Sequence, residues 1–200
     1  HINGETTGVA LIAVSADGEN LIVVCPGANR ALRPADVADA DITHMMGVLE
    51  IPADTLLAAA SRATGFVSLN LAPAMTVPDA LLARASLLCV NETEAAFYGD
   101  ALHASGALVA ISLGSEGAAL YQHGTEIARE AAPEVQVVDT VGAGDTFTAA
   151  LTVALIEGMI EQDALRFAVT AGALACTRAG AQPSLPKRAE VDALVAKTWP

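Results

Sequence analysis

Between Thr43 and Gly114 the chain alternates between two textures, and that alternation limits its fold more than any other feature. Strand-like "THMMGVLE" precedes helix-like "PADTLLAAASRAT", "GFVSLNLAP" precedes "VPDALLARA", and "SLLCV" precedes "NETEAAFYG", after which "ALVAISLG" returns to strand. Short apolar runs alternating with segments of helical spacing read as βαβ units, hence a parallel sheet covered on both faces. Such sheets bind ligands beyond the carboxyl ends of their strands. Glu50, Asn70, Asn91 and the stretch Ser112–Gly114 fall at those ends and are the first candidates for a site. Hairpin signals flank the alternating part. "TTGVALIAVSADGENLIVVCPGAN" holds two β-branched runs joined at Asp17-Gly18, and "GAALYQHGTEIARE" reads as a second hairpin.

Composition narrows the function. The 200 residues suit one domain with a proper core. No apolar run reaches the roughly 18 residues that span a membrane, and no basic-then-apolar signal segment opens the chain, so a cytoplasmic protein without a membrane partner is expected. A net charge of −13 argues against nucleic acid, which needs clustered Lys and Arg. Cys25, Cys89 and Cys176 lie far apart among apolar or small residues, as buried free thiols would.

The most specific stretch is Asp139–Phe147, "DTVGAGDTF". A bare Gly-x-Gly arises by accident roughly once in a chain of this size. Its context is less common: the β-branched run "EVQVV" precedes it, and "TFTAALTVALIEG" after it has helical spacing and ends in Gly158. Closely spaced glycines let backbone approach a ligand, and the first turn of a helix offers unpaired N–H groups to an anion. Asp145 would stand beside that anion; a well-capped strand-to-helix turn is the plainer reading. In "NETE", Asn91 and Glu94 are three apart at a helix start, the spacing of a capping box as well as of a shared binding face. The segment "CTRAGAQPS", Cys176 to Ser184, is expected to be loop, and such a loop can turn carbonyls inward to hold a monovalent cation.

Taken together, "DTVGAGDTFTAAL", "NETEA" upstream, "TRAGAQPSLP" downstream, and "LNLAPA" and the opening hairpin in the same order resemble the ribokinase branch of the phosphofructokinase B carbohydrate kinases. The likeness runs along nearly the whole chain, and no Walker lysine loop or "HRD" points to another phosphoryl-transfer design. It implies an α/β fold, a parallel-sheet βαβ sandwich with residues 1–28 as a small β lid and 29–200 as the kinase core. It also implies ATP-dependent phosphorylation of a small sugar, ribose above all. Asp145 would be the base toward the sugar hydroxyl, with Gly142, Ala143 and Gly144 as the anion hole. Asn91 and Glu94 would serve Mg²⁺, water and phosphate; Ser112 and Gly114 would lie near the nucleotide. Asp139 and Ser184, with carbonyls of Val141, Ala175, Arg178 and Gly180, would hold K⁺, and Glu50 would touch the sugar as a buried carboxylate. Pairing of the lid would give a homodimer.

The family's N-terminal portion, with a strand-end Asp and a "GGKGAN"-like turn that grip the sugar, has no counterpart in these residues, and the helix after "NETEAAFYGD" is shorter than usual. Omitted segments are the expected explanation. Kinases for fructose, a ketodeoxy sugar acid or a nucleoside share the reaction class. A catalytically silent nucleotide-binding protein is the alternative outside it. A nicotinamide dehydrogenase finds little support, because "GAG" does not form G-x-G-x-x-G after a first strand.

Overall fold

A computed structural model describes residues 4–14 and 20–200; the Asp17-Gly18 turn falls outside them. Strands β1 (Val9–Val14) and β2 (Asn20–Cys25) form an antiparallel two-stranded ribbon separate from the main sheet. The main sheet has six strands in sequence order: β3 (Met45–Val48), β4 (Val67–Asn70), β5 (Leu87–Asn91), β6 (Leu108–Ser112), β7 (Ala118–Gln122) and β8 (Thr125–Glu130). Strands β3 to β6 run parallel, and β7 and β8 join antiparallel through the expected hairpin, so the sheet is mixed.

Burial on both faces follows from the strand sequences. In β5, Leu87 and Cys89 point to one core and Leu88 and Val90 to the other, the period of two that a doubly covered strand requires. Helices α1 (Ala53–Arg62) and α2 (Asp79–Arg84) cover one face. The same face takes Leu102 from α4 (Asp100–Ala104), which follows α3 (Glu92–Tyr98) after a break at Gly99. Helices α5 (Ala143–Ile156) and α6 (Glu161–Ala175) cover the other face, with Val191 of α8 (Arg188–Thr198) closing that core. Fully buried leucines such as Leu151 and Leu165 contribute about 1.5–3 kcal/mol each. A polar seam also joins α5 to the sheet: the Thr152 hydroxyl bonds the Ser68 hydroxyl of β4 at 2.8 Å and the Thr148 carbonyl at 2.7 Å. With both partners buried, sliding α5 along the sheet would strand a hydroxyl.

Three sequence expectations change. Residues 134–138 are irregular rather than a strand: the N–H groups of Val138 and Asp139 both donate to the Cys176 carbonyl, at 2.8 and 3.2 Å, so the run lies along the end of α6 instead of joining the sheet. Within the 176–184 loop, Ala181–Ser184 forms one helical turn, α7. Of the three free thiols only Cys89 is buried; Cys25 is exposed at the end of the ribbon and Cys176 is half-buried. No described helix is long and apolar enough to cross a membrane.

Candidate active site

Helix α5 begins beyond the carboxyl ends of β4 and β5, where "DTVGAGDTF" makes its turn. Gly142 precedes the helix at φ +79°, a conformation that side chains disfavour, and a Cβ there would sit 3.3 Å from Ala181 Cα. The Ala143 N–H donates to the Thr140 carbonyl at 3.2 Å, and the Thr146 N–H donates to the Gly142 carbonyl at 2.9 Å. The N–H groups of Gly144 and Asp145 find no acceptor among the described residues. Of the trio Gly142, Ala143 and Gly144, Ala143 is therefore engaged within the turn, and Asp145 supplies an open donor that the motif alone did not reveal. A Cβ on Gly144 would meet nothing within 4 Å, so that backbone faces open space.

Asp145 is exposed, and its carboxylate accepts no hydrogen bond among the described residues. A capping role for that side chain has no bond behind it. Two cavities meet there. One, of about 190 Å³, is lined by Asn70, Asn91, Glu94, Ser112, Gly144 and Asp145, among others. The second, of about 410 Å³, lies between the ribbon and the core, with Val9, Cys25, Asn29, Glu50, Gly142 and Asp145 on its walls. Asp145 and Gly142 border both.

Asn91 and Glu94 form a reciprocal capping box: the Glu94 N–H donates to Asn91 Oδ1 and the Asn91 N–H to Glu94 Oε2, each at 2.8 Å. The cap does not exhaust them, since each keeps a polar atom free and both line the smaller cavity. Burial pushes the Glu94 carboxyl above its ordinary range, against the lowering effect of the Asn91 N–H. Ser112 lines the same cavity, its hydroxyl 3.4 Å from the Val90 carbonyl, whereas Gly114 opens a short 3₁₀ turn just past it. The Cys89 thiol, buried beneath, is pushed up to about 12 by desolvation and is no nucleophile at neutral pH. Glu50 lines the ribbon-side cavity but is exposed, not buried, because it follows β3 at the edge of the sheet.

Asp139 ties the two loops that flank the α5 turn. Its Oδ1 accepts from the Val141 N–H at 3.0 Å and its Oδ2 from the Gly180 N–H at 2.8 Å, and these donors, Gly180 first, hold its carboxyl below the usual carboxylate range. Ser184 is buried with its hydroxyl donating to the Ala181 carbonyl at 2.7 Å. The chain thus brings Asp139, Val141, Gly180 and Ser184 into two adjoining loops, with Ala175 at the last turn of α6 and Arg178 between. The Arg178 side chain turns away to pair with Glu190. Among the described residues no cluster of three or more His, Cys, Asp or Glu side chains is placed to hold a metal.

The model of the pfkB family of carbohydrate kinases matches residues 1–188. The chain belongs to the pfkB family of carbohydrate kinases. Within the pfkB family it is 36% identical over 217 aligned residues to a ribokinase of Arabidopsis thaliana, across 95% of this chain and 57% of that protein. A crystal structure of ribokinase from Thermotoga maritima superposes with a TM-score of 0.82 at 32% identity, covering 96% of this chain and 70% of that one. The structure of Arabidopsis thaliana ribokinase complexed with ribose and ATP gives 0.83 at 33% identity, with coverage of 96% and 70%. The chain therefore spans between 57% and 70% of the length of these pfkB relatives.

Proposed function

We propose that this chain carries the phosphoryl-transfer centre of an ATP-dependent sugar kinase that acts on ribose. The observation behind the proposal is Asp145, a carboxylate without a hydrogen-bond partner among the described residues, on the border of two cavities, one walled by strand-end amides and open N–H groups, the other by the ribbon and Glu50. ATP phosphates suit the first and a sugar the second. The relatives named above support ribose, and one of the structures is of a ribokinase complexed with ribose and ATP.

In this reading Asp145 takes the proton of the attacking sugar hydroxyl as its oxygen bonds to the γ-phosphorus. The bond from that phosphorus to the bridging oxygen breaks, and its electron pair leaves with ADP. The N–H groups of Gly144 and Asp145, with Gly142 and Ala143 shaping the turn, face the charge on the transferring group; transfer of this kind rests on positioning and charge stabilisation. Mg²⁺ carried by the nucleotide would supply charge neutralisation, held through water by Glu94, whose carboxyl is raised above its ordinary range by burial and would be drawn back down by a nearby cation. Ser112 and Gly114 would lie along the nucleotide. Residues 1–28 act as the lid over 29–200. The exposed apolar side chains of the ribbon, Val9 at 54%, Leu11 at 62% and Val23 at 51%, suit pairing with a second copy. An exposed free thiol, Cys25, suits a cytoplasmic setting.

K⁺ would rest among the oxygens of Asp139, Ser184, Val141, Ala175, Arg178 and Gly180, and the loops they belong to hold Gly142 in place. Turnover should then rise with K⁺ and fall when Na⁺ replaces it; equal rates in the two salts remove that site. For the whole reading, the full-length protein should be assayed with ATP and Mg²⁺ against ribose, fructose, ketodeoxygluconate and adenosine. Ribose should be best. A preference for the nucleoside, or no turnover with any of the four, contradicts the proposal.

A further inference from the structure

We propose that Asn70 is a phosphate-binding residue, its side-chain amide donating to the oxygens of the phosphoryl group in transit; the inference rests on the kinase reading above. Asn70 ends β4 and lines the smaller cavity beside Asn91, Glu94, Ser112, Gly144 and Asp145. That cavity has no Lys, Arg or His on its wall, yet it has two carboxylates, in a chain whose net charge is −13. A phosphoryl group entering it must be met by neutral donors and by whatever cation it brings. The backbone offers the open N–H groups of Gly144 and Asp145. Side-chain nitrogen donors come from two residues of the wall, Asn91 and Asn70.

These two differ in their constraints. Asn91 has its oxygen fixed by the Glu94 N–H as a helix cap. The Asn70 amide has no partner among the described residues, although the backbone around it is held firmly: Asn70 pairs with Cys89 in the sheet, and the Leu71 N–H donates to the Cys89 carbonyl at 3.0 Å. An Asn at a strand end commonly folds back on its own backbone, and this one does not. Its side chain carries two N–H donors on a rigid strand at the wall of a cavity with room for a phosphoryl group. An Asp at the same position would add a third carboxylate to the wall and repel what the other donors attract.

The test uses the full-length protein with Asn70→Ala and the near-isosteric Asn70→Asp, whose thermal midpoints are checked against the unmodified protein. Affinity is measured for ADP alone and for ADP with aluminium fluoride, Mg²⁺ and ribose, next to kcat. In the unmodified protein aluminium fluoride should tighten ADP binding. In both variants ADP alone should bind nearly as before, the tightening should be lost, and kcat should fall about 10²-fold in Asn70→Ala and further in Asn70→Asp. Retained tightening with unchanged kcat in a folded Asn70→Ala overturns this inference and leaves the kinase reading intact. Failure of the unmodified protein to bind ADP or transfer phosphate overturns both.

Discussion

Two buried glutamates in this chain behave in opposite ways. Glu130, at the end of β8, is saturated: it accepts from Arg166 Nε at 2.7 Å, from Trp199 Nε1 at 3.0 Å and from the Gln162 amide, so one carboxylate ties the sheet edge to α6 and to the end of the chain. Arg166 also lies over the Trp199 ring at 5.8 Å. Glu94, in the first turn of α3 just past β5, is left open. It has one donor, the Asn91 N–H, no cation beside it among the described residues, and a carboxyl that burial holds toward its protonated form. Burial alone does not distinguish structure from function; the count of satisfied lone pairs does. Where every acceptor is matched, a charged group fastens elements together. Where polar groups stand open in a cavity, as around Asp145, Asn70 and Glu94, they await a ligand.

The largest expected effect separates these regions directly. Asp145→Asn keeps the side chain's size and removes the proton acceptor, so kcat should fall by roughly 10²–10⁴, while the urea midpoint of unfolding stays put because the Asp145 carboxylate has no hydrogen-bond partner among the described residues. A turnover near that of the unmodified protein breaks the comparison.

The same conservative change at the two glutamates should give opposite signs of stability. Glu130→Gln removes the buried counter-charge of Arg166 and leaves it the exposed Asp163 at 3.3 Å, and should cost about 1.5–3 kcal/mol in urea unfolding, with kcat nearly unchanged. Glu94→Gln keeps an oxygen for the Asn91 N–H and removes a desolvated charge. Because the folded carboxyl titrates above its unfolded value of about 4.3, both states are protonated at low pH and the Gln variant has no advantage there. As the pH rises through the raised folded value, ionised Glu94 weighs on the folded state and the variant becomes the more stable protein. A constant difference across that range contradicts the assignment. On the proposed reading, turnover of Glu94→Gln should nevertheless fall, since the carboxylate that would face Mg²⁺ is gone. Smaller still, Trp199→Phe deletes one hydrogen bond to Glu130 and should cost about 1 kcal/mol without changing activity; a larger loss would mean that the indole packing, rather than its N–H, fastens the chain end.

Much of this division could be read from the sequence, unevenly. Alternating strand and helix textures placed β3 to β6 and the helices between them, because period-two burial and helical spacing are local properties. "DTVGAGDTF" located the α5 turn for the same reason: the left-handed Gly142 and the helix that follows are written in adjacent residues. What escaped depends on partners distant in sequence. Residues 134–138 have strand composition, but the N–H groups at the end of the run, Val138 and Asp139, go to the Cys176 carbonyl some forty positions on. Glu130 carries no motif, and its three partners lie in α6 and at Trp199. Glu50 reads as a buried carboxylate, yet it is exposed, because its burial depends on what packs beside β3 and not on the residues next to it. The open amide of Asn70 is visible only once the helix start of α5 is set over the end of β4.

The central claim is that Asp145 takes a proton and does not hold the nucleotide. Its most direct test is equilibrium binding of Mg²⁺-ATP to full-length Asp145→Asn by calorimetry. The expected dissociation constant equals that of the unmodified protein or is lower, since a negative charge has left the neighbourhood of the phosphates. A loss of affinity that matches the loss of turnover would place Asp145 among the groups that bind ATP and contradict its role as the base.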